Sequence, residues 1–187
     1  MKTRFGERGA GVTMRKHTTL VLLGAVLVAS AATVLTVGAA DASQTSTPTC
    51  LASQLHGKLL NSGGAAGTIV FSVTLKNIGA VCTLKGYPSL RIKGASGLLP
   101  THVIHGGLAI LNDKPKLVKL APNGKASVLI SYGDVPVGSE TNCPAGKAIR
   151  LRPPNATGWL TVKVGTTACA HGTLHESPLL AGVRSSQ

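Results

Sequence analysis

The chain has 187 residues, a formal net charge of +13 and only 3% aromatic residues. A charge of that sign and size attracts polyanions. Nucleic acid is not the expected partner, because single-strand binders interleave cations with aromatic stacking platforms, and after residue 42 the aromatic supply is Phe71, Tyr87, Tyr132 and Trp159 alone, with no helix-turn-helix or finger pattern.

Residues 20–37 are apolar and uncharged, follow Arg15 and Lys16, and lead to Ala40-Asp41-Ala42. Basic, apolar, small: that order is the signature of a secretory signal peptide. Cleavage is expected after Ala42, with Met14 a second candidate start, and membrane contact is expected only in transit through this segment. Eighteen apolar residues can just span a bilayer, but the second half is rich in Ala, Ser, Thr and Gly and is weakly hydrophobic, which favours cleavage over anchoring. Residues 1–42 thus read as the signal peptide, 43–49 as a polar linker, 50–183 as one folded domain and 184–187 as a tail. Beyond residue 42 there are 14 basic and four acidic residues, a formal +10. For an exported chain the matching partners are anionic cell-envelope polymers or lipid headgroups.

All four cysteines, Cys50, Cys82, Cys143 and Cys169, lie beyond the cleavage site. An even count in a short exported chain reads as a disulfide framework. Of three possible pairings the sequential one, Cys50–Cys82 and Cys143–Cys169, is favoured, because it ties each end of the domain to its neighbouring strands.

From Cys50 onward, short alternating segments are separated by Gly, Pro and Asn. Residues 51–59 form a weak strand with Leu51, Leu55 and Leu59 on one side. Residues 68–76 alternate most clearly, sending Ile69, Phe71, Val73 and Leu75 inward and Val70, Ser72, Thr74 and Lys76 to water. Further strands are expected at 89–93, 98–104, 117–120, 126–132, 148–152 and 159–164, with Pro122-Asn123-Gly124 a strong turn. Seven or eight such strands and no long amphipathic helix predict an all-β domain, an immunoglobulin-like β-sandwich or, as the alternative, an open barrel.

Gly67, Leu75, Asn77 and the block Cys82-x-Leu84-x-Gly86-Tyr87-Pro88 come first, followed by Leu120-Ala121-Pro122-Asn123-Gly124, Cys143-Pro144 and Cys169-x-x-Gly172-x-Leu174-x-x-Ser177-Pro178-Leu179. Over residues 50–183 this pattern resembles a family of uncharacterised exported domains common in actinobacteria. The resemblance implies a secreted or envelope-attached β-sandwich and brings no catalytic residue with it. The block itself has structural explanations: Gly86 permits a turn, Tyr87 packs, and Pro88 is tolerated at the start of a strand.

His102-x-x-His105 and His171-x3-His175 have spacings that bind metal on helices. On strands they do not, since residues four apart lie about 13 Å from each other and residues three apart face opposite ways. Neither metal nor cofactor is expected. No nucleophile elbow is present, and Asp113, Asp134, Glu140 and Glu176 are scattered along the chain, so a non-enzymatic role is expected. The basic residues have more shape. Lys76, Arg91, Lys93, Arg150, Arg152 and Lys163 all take the outward phase of their strands, and would form a cationic stripe if those strands share a sheet. Lys114, Lys116, Lys119 and Lys125 make a second group. The expected function is a structural or interaction module at or outside the cell envelope, adhering to anionic polymer or lipid through the basic face; the alternative is an extracellular carrier of a small ligand.

Overall fold

The computed structural model describes residues 46–186, so the proposed signal peptide and cleavage site lie outside the described residues. Among the described residues no helix is long and apolar enough to cross a membrane. Eleven strands occur there: β1 (Leu55–Ala65), β2 (Thr68–Asn77), β3 (Cys82–Leu84), β4 (Ser89–Lys93), β5 (His102–His105), β6 (Val118–Leu120), β7 (Lys125–Gly133), β8 (Ala145–Arg152), β9 (Leu160–Thr167), β10 (Thr173–Glu176) and β11 (Leu180–Ala181). They build a large sheet in the order β1-β2-β7-β10-β5 with β11 also paired to β7, a three-stranded sheet β4-β8-β9, and a short pair β3-β6. All pairings are antiparallel except β5 with β10.

Alternation explains the core. Phe71, Val73 and Leu75 of β2 and Val128 and Ile130 of β7 share one apolar cluster with Leu90 and Ile92 of β4, Ile149 and Leu151 of β8, and Leu160 and Val162 of β9. Two sheets pressed on one apolar layer make the sandwich that the periodicity predicts. Phe71 and Tyr132 meet edge to face with ring centroids 6.0 Å apart. Gly57 lets β1 close against β9, because a Cβ there would stand 2.6 Å from Val162 Cγ2 and 2.7 Å from Leu160 Cδ1.

Several expectations need correcting in detail. Leu51 is exposed and precedes a single 3-10 turn, Ala52–Gln54, so the first strand begins only at Leu55. The strand expected at 98–104 is regular only over His102–His105, after Pro100, which has no N–H to give a ladder. Ser72, placed on the wet face by periodicity, is fully buried. The chain after β11 crosses that face: Ser72 Oγ donates to Arg184 O at 2.5 Å, Ser127 Oγ donates to Gly182 O at 2.8 Å, and Arg184 N donates to Ser127 Oγ at 3.1 Å.

Both sequential disulfides are present, Cys50–Cys82 and Cys143–Cys169. They suggest an extracytoplasmic location. Cys50–Cys82 fastens the segment before β1 to β3, where Cys50 N also donates to Thr83 O at 2.9 Å. Cys143–Cys169 closes the open end of the β8–β9 hairpin beside the Ala168 N to Pro144 O bond of 2.9 Å. Loops of 32 and 26 residues correspond to about 3.5 kcal/mol each in the chain-entropy model. Cys50 and Cys82 are fully buried, whereas Cys143 is partly exposed. Under mild reductant without denaturant, Cys143 and Cys169 are therefore expected to alkylate first, with Cys50 and Cys82 reacting only as the chain unfolds. Peptide mapping after timed alkylation checks this, and simultaneous labelling of all four would contradict it.

Candidate functional site

Strand β4 pairs with β8 through Leu90↔Leu151, Arg91↔Arg150 and Ile92↔Ile149. With the apolar members of these pairs buried, the arginines have only the outer face to occupy. Across β8, Arg150 pairs with Thr161 and Leu151 with Leu160 of β9. Trp159, one residue before Leu160, therefore takes the outward phase. The guanidinium carbons of Arg91, Arg150 and Arg152 stand 5.1, 5.3 and 5.1 Å from its ring centroid. Arg152 Nη2 also donates to Ser89 Oγ at 3.3 Å. Lys93 and Lys163, both exposed, are the two register partners of Ala148 and extend the face by one row.

The face carries cations without counter-ions. Among the described residues, the carboxylates in ion-pair range of a basic group meet only His105 and His171, never a lysine or arginine. A cation over an exposed indole gains about 0.5–1 kcal/mol, while like charges directly opposite in a sheet, as Arg91 and Arg150 are, cost a similar amount. One ring cannot neutralise three guanidiniums. Several oxyanion groups together can, because each guanidinium presents a planar fork of donors matched to phosphate or carboxylate.

Five of the six basic residues expected to form a stripe lie on this sheet. Lys76 does not: it sits on β2 in the large sheet, paired with His56 and Lys125. Periodicity fixes the face of a strand and leaves its sheet open, and β2 pairs with β1 and β7. Of the second basic group, Lys119 lies on β6, Lys125 opens β7, and Lys114 and Lys116 are exposed in the loop that precedes β6. The sequence reading missed Trp159 as the centre of the arginines, although its position one residue before an inward leucine marks it as outward.

The histidines are dispersed. His102 and His105 lie on β5, and His175 Nδ1 is 2.9 Å from Gly106 O. His171 occupies a left-handed turn (φ 57°). Glu140 holds that turn, accepting from Ala170 N at 2.9 Å and His171 N at 2.7 Å. These amide bonds, that from His171 first, lower the Glu140 pKa.

Glu176 is the second feature that sequence reasoning missed. It is fully buried at the end of β10. Neither carboxyl oxygen has a well-oriented hydrogen bond, although Nδ1 of His105 lies 3.0 Å from Oε1. Tyr87 stacks on the His105 ring with centroids 3.9 Å apart. Burial pushes the Glu176 pKa from the usual 4.5 up to about 8. Between those values the folded chain holds a proton that the unfolded chain has released. The contribution to stability is thus complete below pH 4.5 and is lost as pH rises through about 8, with a limiting slope of about 1.4 kcal/mol per pH unit. Urea unfolding at pH 5, 7 and 9 should show this decline in the native chain and a flatter profile in Glu176→Gln. Equal slopes in the two proteins would mean that the carboxyl is already ionised in the fold.

A family model described as Domain of unknown function (DUF4232) matches residues 50–179, and the chain belongs to that family. No curated protein and no solved structure matches it.

Proposed function

We propose that this member of the DUF4232 family is an exported, non-enzymatic binding module that holds anionic cell-envelope polymer on the outer face of β4, β8 and β9. The single observation that supports this reading is the convergence of Arg91, Arg150 and Arg152 on Trp159 with no carboxylate to balance them. Lys93 and Lys163 lengthen the charged surface beyond what one small anion needs, which favours a chain of repeated anionic groups. Binding suits the face better than catalysis. Of the two histidine–carboxylate contacts among the described residues, His105 with Glu176 has its carboxyl sealed in the core and its imidazole covered on one side by Tyr87, and in His171 with Glu140 the carboxylate is occupied by the amides of Val137, Ala170 and His171. The family block around Gly86-Tyr87-Pro88 accordingly has an architectural role: Gly86, at φ 106°, accepts a bond from Leu179 N at 2.9 Å.

Polyphosphate, a phosphoanhydride polyanion without bases to stack or sequence to read, is the probe of choice. Titration at about 50 mM salt should quench or shift Trp159 fluorescence, and affinity should fall steeply by about 500 mM as screening shortens the reach of the charges. Replacing Arg91, Arg150 and Arg152 together by glutamine should weaken binding at least tenfold without lowering the melting temperature. Unchanged affinity in that triple variant, or affinity indifferent to salt, would contradict the proposed site.

A further inference from the structure

The face of the large sheet beside the C-terminal strand carries a second group of cations in a different setting. His56, Lys76 and Lys125 are consecutive register partners across β1, β2 and β7, so they stand in one row at strand spacings of about 5 Å. Lys58 belongs to the next row, opposite Thr74. Like charges set side by side across a sheet oppose one another, and no carboxylate among the described residues pairs with these lysines. They border a groove of about 360 Å³ whose lining contains no acidic residue. A volume of that order suits a small molecule.

Unlike the arginine face, this groove has apolar walls. Leu60 and Val183 both line it and are 46% and 49% exposed. Val183 is held there by its neighbours, since Gly182 and Arg184 are bonded to Ser127 and Ser72 on the sheet. Asn61, beside Leu60, ties the same segment through a 2.8 Å bond from Nδ2 to Ser185 Oγ. Thr74 also lines the groove, and its Oγ1 is buried without a hydrogen-bond partner.

We infer that this groove binds an anionic amphiphile: a phosphate or carboxylate headgroup against Lys58, Lys76 and Lys125, with an aliphatic chain laid between Leu60 and Val183. Lysines suit the headgroup as mobile point charges on flexible stems. The site lies on a different sheet from the arginine face and stands or falls separately from it.

Octyl phosphate below its micellar concentration and inorganic phosphate are the paired probes, titrated into the disulfide-intact protein with methyl-labelled leucine and valine and a nitrogen-labelled tryptophan indole. Octyl phosphate should shift the Leu60 and Val183 methyl signals and bind at least tenfold more tightly than inorganic phosphate. Lys76→Gln with Lys125→Gln should weaken octyl phosphate at least tenfold. Leu60→Ser with Val183→Ser should erase its advantage over inorganic phosphate. Equal affinity for the two probes would reduce the groove to an inorganic-anion site and overturn the inference. So would shifts confined to the Trp159 indole and lost on Arg91→Gln with Arg150→Gln, which would place the amphiphile on the arginine face. Absence of any shift would overturn it as well. Melting temperatures equal to the native value establish that each variant is folded.

Discussion

Positive charge that the fold cannot balance internally is the constraint on which the surface of this protein depends. Four acidic residues face 14 basic ones after residue 42, and two of the four are committed elsewhere. Glu140 holds the backbone of the turn at Ala170 and His171. Glu176 is buried with its pKa raised to about 8, and so carries little negative charge near neutrality. Little is left to neutralise rows of lysine and arginine, and rim charges of this kind act mainly on attraction and encounter with oppositely charged partners.

The backbone determines how those charges are distributed. Strand β7 pairs with β2, β10 and β11 and is buried over Ala126–Tyr132 on both faces. Its outer face can be buried because Ser127 bonds to the C-terminal segment, which also covers Ser72. The same segment leaves β1 and the near end of β2 open, and there His56, Lys58 and Lys76 emerge. Gly57 then brings β1 against β9, so that Lys58 and Lys163 border one shared depression of about 390 Å³. Two chemically distinct cationic surfaces, one with an indole and arginines and one with aliphatic walls and lysines, thus meet at the edge between the sheets.

Much of this was legible in the sequence where burial is one-sided. Residues 68–76 and 89–93 alternate because one face packs on the apolar core, and both form strands with Phe71, Val73, Leu75, Leu90 and Ile92 buried as expected, Ser72 being covered from the other side. Of the three possible disulfide pairings, the sequential one that was favoured is the one present. Strand β11 was invisible because two residues cannot display a period, and β3 was not read as a strand although Cys82 and Leu84 take its inward positions. Strand β10 was hidden because its inward positions are Leu174 and Glu176, and a carboxylate in a core breaks the pattern by which cores are recognised. Arg91, Lys93, Arg150, Arg152 and Lys163 take the outward phase that periodicity assigns them, and their strands or strand ends belong to one sheet. Lys76 was assigned with them because outward phase is local information, while sheet membership comes from long-range pairing. For the same reason the row of His56, Lys76 and Lys125 could not be foreseen: its members are brought together only by the register of three strands.

Thermal unfolding against ionic strength, with and without polyanion, tests the central claim of uncompensated charge most directly. If the cationic faces repel internally, the melting temperature rises as sodium chloride increases from about 10 to 500 mM, through screening. At low salt it should rise further with polyphosphate, which binds the folded state selectively. A melting temperature indifferent to both would contradict the account, since it would show that the fold already balances its own charge and has no need of an anionic partner.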